Sequence, residues 1–161
     1  MNFELQSFFA FGEYSLRKAS IEDVDTLVAL INQAYSYQNE ARGELRTNFD
    51  HLKARILGTS FFVIQYHHRI VGCVYIEPSG AALHLGLLTL VPEHRAKGVA
   101  EQVMDAIEDL ALTNNFDTIE LDYMSVAPWL KAYYERYGFI ETGEAERWGK
   151  IQLVRMKKRL G

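Results

Sequence analysis

The sequence predicts an α/β (α+β) domain built on one mixed, mostly antiparallel central sheet flanked by helices. Three observations lead there. Strand-like apolar runs and helix-period segments follow one another in the order β-α-α-β-β-β-α-β-α-β-β. One of the strands, Leu83 to Val91, runs through a proline into a small-residue loop that opens directly into an amphipathic helix. The 161 residues are 48% hydrophobic and 24% charged, and no repeat, linker or low-complexity stretch divides them. Residues 1–161 therefore read as one domain, long enough for a sizeable core, with 1–13 as an N-terminal extension.

Tyr14 to Lys18 reads as the first strand. Ser20 with Asp23 three residues on is a capping-box-like helix start, and Val24, Leu27, Val28 and Ile31 form the apolar stripe that follows. Residues 35–47 are polar and irregular; a second short helix then turns Phe49, Leu52 and Ile56 inward. Phe61 to Tyr66 and Ile70 to Glu77 form a hairpin about His67-His68-Arg69. After the central strand, loop and helix, Thr118 to Tyr123 alternates Ile119, Leu121 and Tyr123 with Glu120 and Asp122. Pro128 opens a short helix that ends at Tyr137, and Gly138 supplies the left-handed cap. Two final strands span Phe139 to Glu144 and Lys150 to Lys157.

The most informative stretch is Leu87 to Met104. Here Arg95-Ala96-Lys97-Gly98-Val99-Ala100 joins the strand to a helix whose apolar face carries Val99, Val103, Met104, Ile107, Leu110 and Ala111. The first N–H groups of a helix lack internal partners, and its dipole places positive charge there. An anion at that point satisfies both. Gly98 and Ala100 let a pyrophosphate come close to the backbone, while Arg95 and Lys97 add full charges. A plain strand–helix connection with a solvated basic turn has the same local composition.

Downstream lies Tyr134-Glu135-Arg136-Tyr137-Gly138-Phe139. An R-x-x-G-x-A turn after a strand, followed by Y-x-x-Y-G-F, resembles the GNAT superfamily of acyl-CoA-dependent N-acetyltransferases. The resemblance runs from about Tyr14 to Lys157, with both motifs in the family's order. It implies a GNAT-like fold and an N-acetyltransferase that moves an acetyl group from acetyl-CoA, as cosubstrate, to a primary amine on a small molecule, amino acid or peptide. Direct attack through a tetrahedral intermediate is implied, with no metal. The pyrophosphate falls to Arg95, Ala96, Lys97, Gly98, Val99 and Ala100. The pantetheine arm falls to main-chain groups of Leu90 and Val91, where a strand splay exposes an N–H for the carbonyl oxygen. Tyr134 matches the family's general acid, a phenol that is protonated at neutral pH. Tyrosines at this spacing also serve as packing residues.

The resemblance breaks at the general base. Many members carry a glutamate on the strand before the loop, whereas Leu83 to Leu90 holds no acidic residue. His84 is the titratable group there and a possible base; Asp122, Glu120 or bulk water are alternatives. A catalytically silent acyl-CoA sensor or partner subunit is the other reading of that departure. Between the first two helices, Glu40 and Glu44 suit an ammonium group and Arg42 and Arg46 a carboxylate, a mixture that fits a zwitterion or a polar surface loop alike.

Composition excludes other classes. A net charge of −4 argues against nucleic acid as a general partner. No apolar run is long enough to span a bilayer, so no membrane role is expected, and Phe8-Phe9-Ala10-Phe11 follows Glu4 without the basic region of a signal peptide. A single cysteine, Cys73, cannot form an internal disulfide and fits a cytoplasmic protein. His67-His68 occupies a turn, and His51 and His94 lack metal-ligand spacing. Family analogy adds a possible homodimer through the C-terminal strands.

Overall fold

The computed structural model describes residues 2–161, Glu144 by its backbone alone. In chain order the elements are β1 (Tyr14–Lys18), α1 (Val24–Ala34), α2 (Asn39–Arg42), α3 (Phe49–Gly58), β2 (Ser60–Tyr66), β3 (Arg69–Ser79), β4 (Ala82–Leu90), α4 (Val99–Thr113), β5 (Thr118–Met124), α5 (Trp129–Glu135), β6 (Ile140–Trp148) and β7 (Ile151–Arg159). The strands form one sheet in the order β1-β2-β3-β4-β5-β7-β6. Each pairing is antiparallel except β4 with β5, which is parallel. This is the mixed, mostly antiparallel sheet that the sequence predicts.

Alternation along the strands builds two apolar layers. Phe62, Ile64, Val74 and Ile76 face α4, whose predicted stripe of Val99, Val103, Met104, Ile107, Leu110 and Ala111 is buried throughout. Each of the larger side chains contributes about 1.5–3 kcal/mol by leaving water. The N-terminal segment belongs to this layer too, because Phe3 and Leu5 are buried and Phe3 meets Phe116 edge-on. On the opposite face, Phe61, Val63, Cys73 and Tyr75 pack under Leu27, Ile31, Leu52 and Ile56 of α1 and α3. The entry to α1 is fixed by Asp23, whose carboxylate accepts from the Ser20 N–H (2.8 Å) and from both terminal nitrogens of Arg17 (2.8 Å each). That fork holds the Asp23 carboxyl below its ordinary range.

Several expectations need correction. Phe49 is 42% exposed rather than inward, because it is the first residue of α3, just beyond the Asn48 cap, and overhangs the sheet. The irregular segment after α1 contains a 3-10 turn at Ser36–Gln38 and the single helical turn α2. β6 and β7 run longer than expected, since the polar stretch through Trp148 forms an edge strand, closed by a turn at Gly149 (φ +57°). α5 stops at Glu135, two residues early, yet Gly138 does adopt φ +91° and turns the chain into β6. Glu120 is not in water despite its alternating position: only 2% of it is exposed.

Where β3 and β4 cross, the backbones come too close for a side chain. A Cβ on Gly72 would overlap the Thr89 carbonyl oxygen, which is main chain and cannot step aside. Gly72→Ala should lower unfolding stability by about 1–3 kcal/mol in urea denaturation, the usual cost of overpacking. Gly58→Ala, with open space at its Cβ position, should be neutral or slightly stabilising in the same experiment.

Candidate active site

The site is organised by an irregularity in β4. Cys73 pairs with Thr89 and Tyr75 with Gly86, so Leu87 and Leu88 oppose the single residue Val74 and β4 bulges. Leu87 takes φ +51°, a strained conformation for a branched side chain. Its carbonyl is fastened by the Thr89 hydroxyl (2.9 Å) and the Cys73 thiol (3.4 Å). Burial pushes the Cys73 thiol up to about 12, so it stays a neutral donor. Just ahead of the bulge β4 leaves its parallel neighbour: pairing with β5 is confined to Ala82–Thr118, Leu83–Ile119 and His84–Glu120.

The splay leaves backbone groups of β4 facing a gap. The Val91 N–H donates to the Val71 carbonyl at 2.8 Å, which makes Gly72–Leu90 a non-hydrogen-bonded pair and turns the Leu90 N–H toward β5. The Leu90 N–H thus faces the gap, whereas the Val91 N–H faces β3. Both main-chain groups of Val91 are already engaged, its carbonyl by the His94 N–H at 3.0 Å.

At the end of β4 the basic loop turns through Ala96 (φ +58°) and Gly98 (φ +86°). Arg95 Nε donates to the Leu90 carbonyl (2.9 Å) and ties the loop to the strand. Gly98 is the N-cap of α4 and offers no capping side chain; the first intrahelical bond is Gln102 N–H to Gly98 O (3.1 Å). The N–H groups of Val99 and Ala100 therefore stand at an open, dipolar helix start, with Arg95 and Lys97 exposed beside it.

α5 is fastened to α4 by one carboxylate. Glu101 accepts from the Tyr137 hydroxyl (2.8 Å) and the Tyr133 hydroxyl (3.3 Å). The Tyr134 hydroxyl, on a different face, makes no hydrogen bond among the described residues; the ring packs edge-on to Tyr133 and Phe139, and burial raises its pKa above the ordinary phenol value. It lines a cavity of about 450 Å³ that opens at the splay, also walled by Leu87, Leu88 and His84. Tyr37, in the cavity wall, packs against Trp129, with ring centroids 5.6 Å apart.

His84 enters the same cavity between two carboxylates, Glu77 across β3 and Glu120 across β5. Its Nδ1 lies 3.8 Å from Glu120 Oε1. Glu120 is buried and held by Arg155 Nε at 3.2 Å, and the same guanidinium grips Asp122 at 3.0 and 3.3 Å. Burial lowers the His84 pKa below the ordinary imidazole value, while Asp122 and Glu120 oppose that shift. His84 is accordingly a neutral acceptor at neutral pH. Glu120 does not line the cavity and Asp122 is bound to Arg155, so His84 is the base candidate with access. Glu40 and Glu44 lie outside the cavity, whereas Arg46 is in its wall. Sequence reading missed Arg155, Tyr75, Glu77 and Trp148; of these only Arg155 had a signal, opposite Asp122 in the β5–β7 register.

No curated protein sequence matches the chain. PaiA N-acetyltransferase from Thermoplasma acidophilum, solved in complex with coenzyme A, superposes with a TM-score of 0.72 at 16% identity, over 92% of this chain and 99% of that one. Spermidine N-acetyltransferase from Vibrio cholerae, in complex with CoA and spermine, gives 0.69 at 20% identity over 91% and 95%. Ribosomal-protein-S5-alanine acetyltransferase from Vibrio fischeri gives 0.69 at 19% identity over 94% and 95%. These likenesses establish the fold. The model of the acetyltransferase (GNAT) domain matches residues 31–160, and the chain belongs to the GNAT acetyltransferase family.

Proposed function

We propose that the chain is an N-acetyltransferase that transfers an acetyl group from acetyl-CoA to a primary amine. The observation that carries this reading is the splay of β4 from β5, which leaves a strand edge unpaired beyond His84 and brings His84 and the Tyr134 phenol into one cavity, on the strand that leads into the open N-terminus of α4. Acetyl-CoA, when bound, supplies the thioester whose carbonyl carbon the amine attacks and whose C–S bond then breaks. The backbone of Arg95 to Ala100, with the Arg95 and Lys97 side chains, holds the pyrophosphate. The Leu90 N–H extends the strand edge to the pantetheine arm and gives a donor of the oxyanion type.

His84 takes the proton that the amine nitrogen loses as its bond to the acetyl carbon forms. Tyr134 donates its hydroxyl proton to the departing thiolate and regains one from water. Its raised pKa keeps it protonated across the working range, so its donor is always present. A silent acyl-CoA binder would have no use for an unpaired phenol and a neutral imidazole in one cavity.

Three measurements test this. Gly98→Glu, which puts a carboxylate into the anion site, should abolish CoA binding in calorimetry while circular dichroism still reports a folded protein; retained affinity would overturn the loop assignment. Tyr134→Phe should cut turnover by about 10²-fold or more with acetyl-CoA affinity nearly unchanged; equal losses would make Tyr134 structural. The imidazole must be neutral to accept a proton, and its pKa is depressed. The kcat/KM profile should therefore be level through neutrality and fall only below about pH 6.5. In His84→Gln that acidic limb should vanish, with a rate loss of about 10²–10⁴; an unchanged limb would exclude His84 as the base.

A further inference from the structure

A second cavity, of about 560 Å³, adjoins the first on the α3 side and is not used by the proposed chemistry. The two share Arg46, Arg55, Glu77, Leu87 and Trp148, so the second chamber begins at the strand bulge itself. Its charge is one-sided. Arg42, Arg46 and Arg55 line it, and Glu77 is its one carboxylate among the described residues. The ion pairs available are long: Arg55 to Glu77 at 3.6 Å and Arg42 to Glu44 at 3.5 Å.

Arg46 has neither an ion pair nor a hydrogen bond among the described residues. It stacks between Tyr35 (5.4 Å) and Trp148 (5.2 Å), and Arg42 covers the same indole at 4.7 Å. Arg46 Nε, Arg42 Nε and Arg42 Nη1 are buried without acceptors. Burial disfavours the charged form of Arg46, and Arg42 and Arg55 add repulsion. A guanidinium nevertheless remains charged, with five fixed donors. Such a group, desolvated and held flat between aromatic rings, lacks an anion.

We infer that this second cavity is a carboxylate subsite for the acceptor: Arg46, with Arg42 beside it, binds a carboxylate on the same molecule whose amine reaches the thioester through the shared opening. The inference rests on the acetyltransfer reading and names its substrate class, an amine that bears a carboxylate. A planar fork matches a carboxylate in two parallel hydrogen bonds. A polyamine, such as the spermine in the Vibrio cholerae complex, would bring a second cation toward three arginines. Of the carboxylates that line the first cavity, Asp122 is held by Arg155 and Glu77 faces Arg55, while Glu146 lies outside the second cavity where the arginines gather.

The experiment compares free amino acids with their C-terminal amides, plus spermidine, by thiol release from acetyl-CoA. In parallel, the same amino acids and amides are titrated by tryptophan fluorescence in a Trp129→Phe background, which leaves Trp148 as the reporter. Free carboxylates should be preferred by about 10- to 100-fold in kcat/KM, the range of a charged hydrogen-bonded pair. Arg46→Gln should erase that preference with acetyl-CoA affinity intact, and Arg46→Lys should restore part of it. The Trp148 titration should saturate with carboxylates alone and be lost in Arg46→Gln. Amides or spermidine used as well as carboxylates, or a titration indifferent to Arg46→Gln, would overturn the subsite. If no amine released thiol, acetyltransfer would fall, while a carboxylate titration still dependent on Arg46 would uphold the subsite on its own.

Discussion

Main-chain N–H and C=O groups withdrawn from water need partners, and an unmet one costs about 1–3 kcal/mol. β4 meets that demand along its β3 edge but along only three residues of its β5 edge, from Ala82 to His84. Beyond them the two strands diverge, and most features of the site follow from the divergence. The gap admits the cavity, gives the Leu90 N–H nothing of β5 to bond, and delivers β4 to the loop that opens α4. An extended ligand laid in the gap completes the sheet as an added strand would. The arrangement is kept by local fastening rather than by chance. Leu87 and Ala96 hold positive φ on either side of the exposed edge, at a cost of about 1–3 kcal/mol each. The Thr89 and Cys73 bonds to the Leu87 carbonyl hold the first of these in place, and a Cβ on Gly86 would strike the Tyr75 ring.

What was legible in the sequence is what depends on neighbours in the chain. The apolar stripe of α4, the basic loop, the glycine turn at Gly138 and the individual strands are each written in a short run of the chain, so period and cap signals suffice. What was illegible depends on distant partners. Glu120 alternates like a solvated residue, but β5 lies between β4 and β7, and Arg155 from β7 covers it. Phe49 has the spacing of a core residue and the position of a helix terminus. The bulge at Leu87 left only Gly86 as a cue, and nothing local showed that the Val91 N–H is spent on β3. The arginines of the segment after α1 could be seen but not weighed, since their sorting requires Trp148, which lies about a hundred residues away in sequence.

The electrostatics of the site have a common logic, in which charges cancel in pairs and the remainder is placed where chemistry is wanted. Arg155 offsets part of the charge of Glu120 and Asp122, and burial lowers the His84 pKa against the pull of those carboxylates. Arg55 faces Glu77 in the same way. Without an ion pair among the described residues stand Arg46, in the wall of both cavities, and the exposed Arg95 and Lys97 of the loop that opens α4.

The three tyrosines of α5 and the turn after it show how packing assigns roles that spacing cannot. Tyr133 in α5 and Tyr137 in the turn both reach α4, where the Glu101 carboxylate has lone pairs enough for both hydroxyls. Tyr134 is rotated about 100° from Tyr133, away from Glu101 and into the cavity, where its hydroxyl finds no partner among the described residues. That hydroxyl stands at the cavity wall rather than sealed in the core, while the hydroxyls of its two neighbours are bound to Glu101. The unmet donor is thus the informative one of the three. It points into the opening where, on the proposed mechanism, a thiolate forms, and the two satisfied tyrosines hold its helix still while it does so.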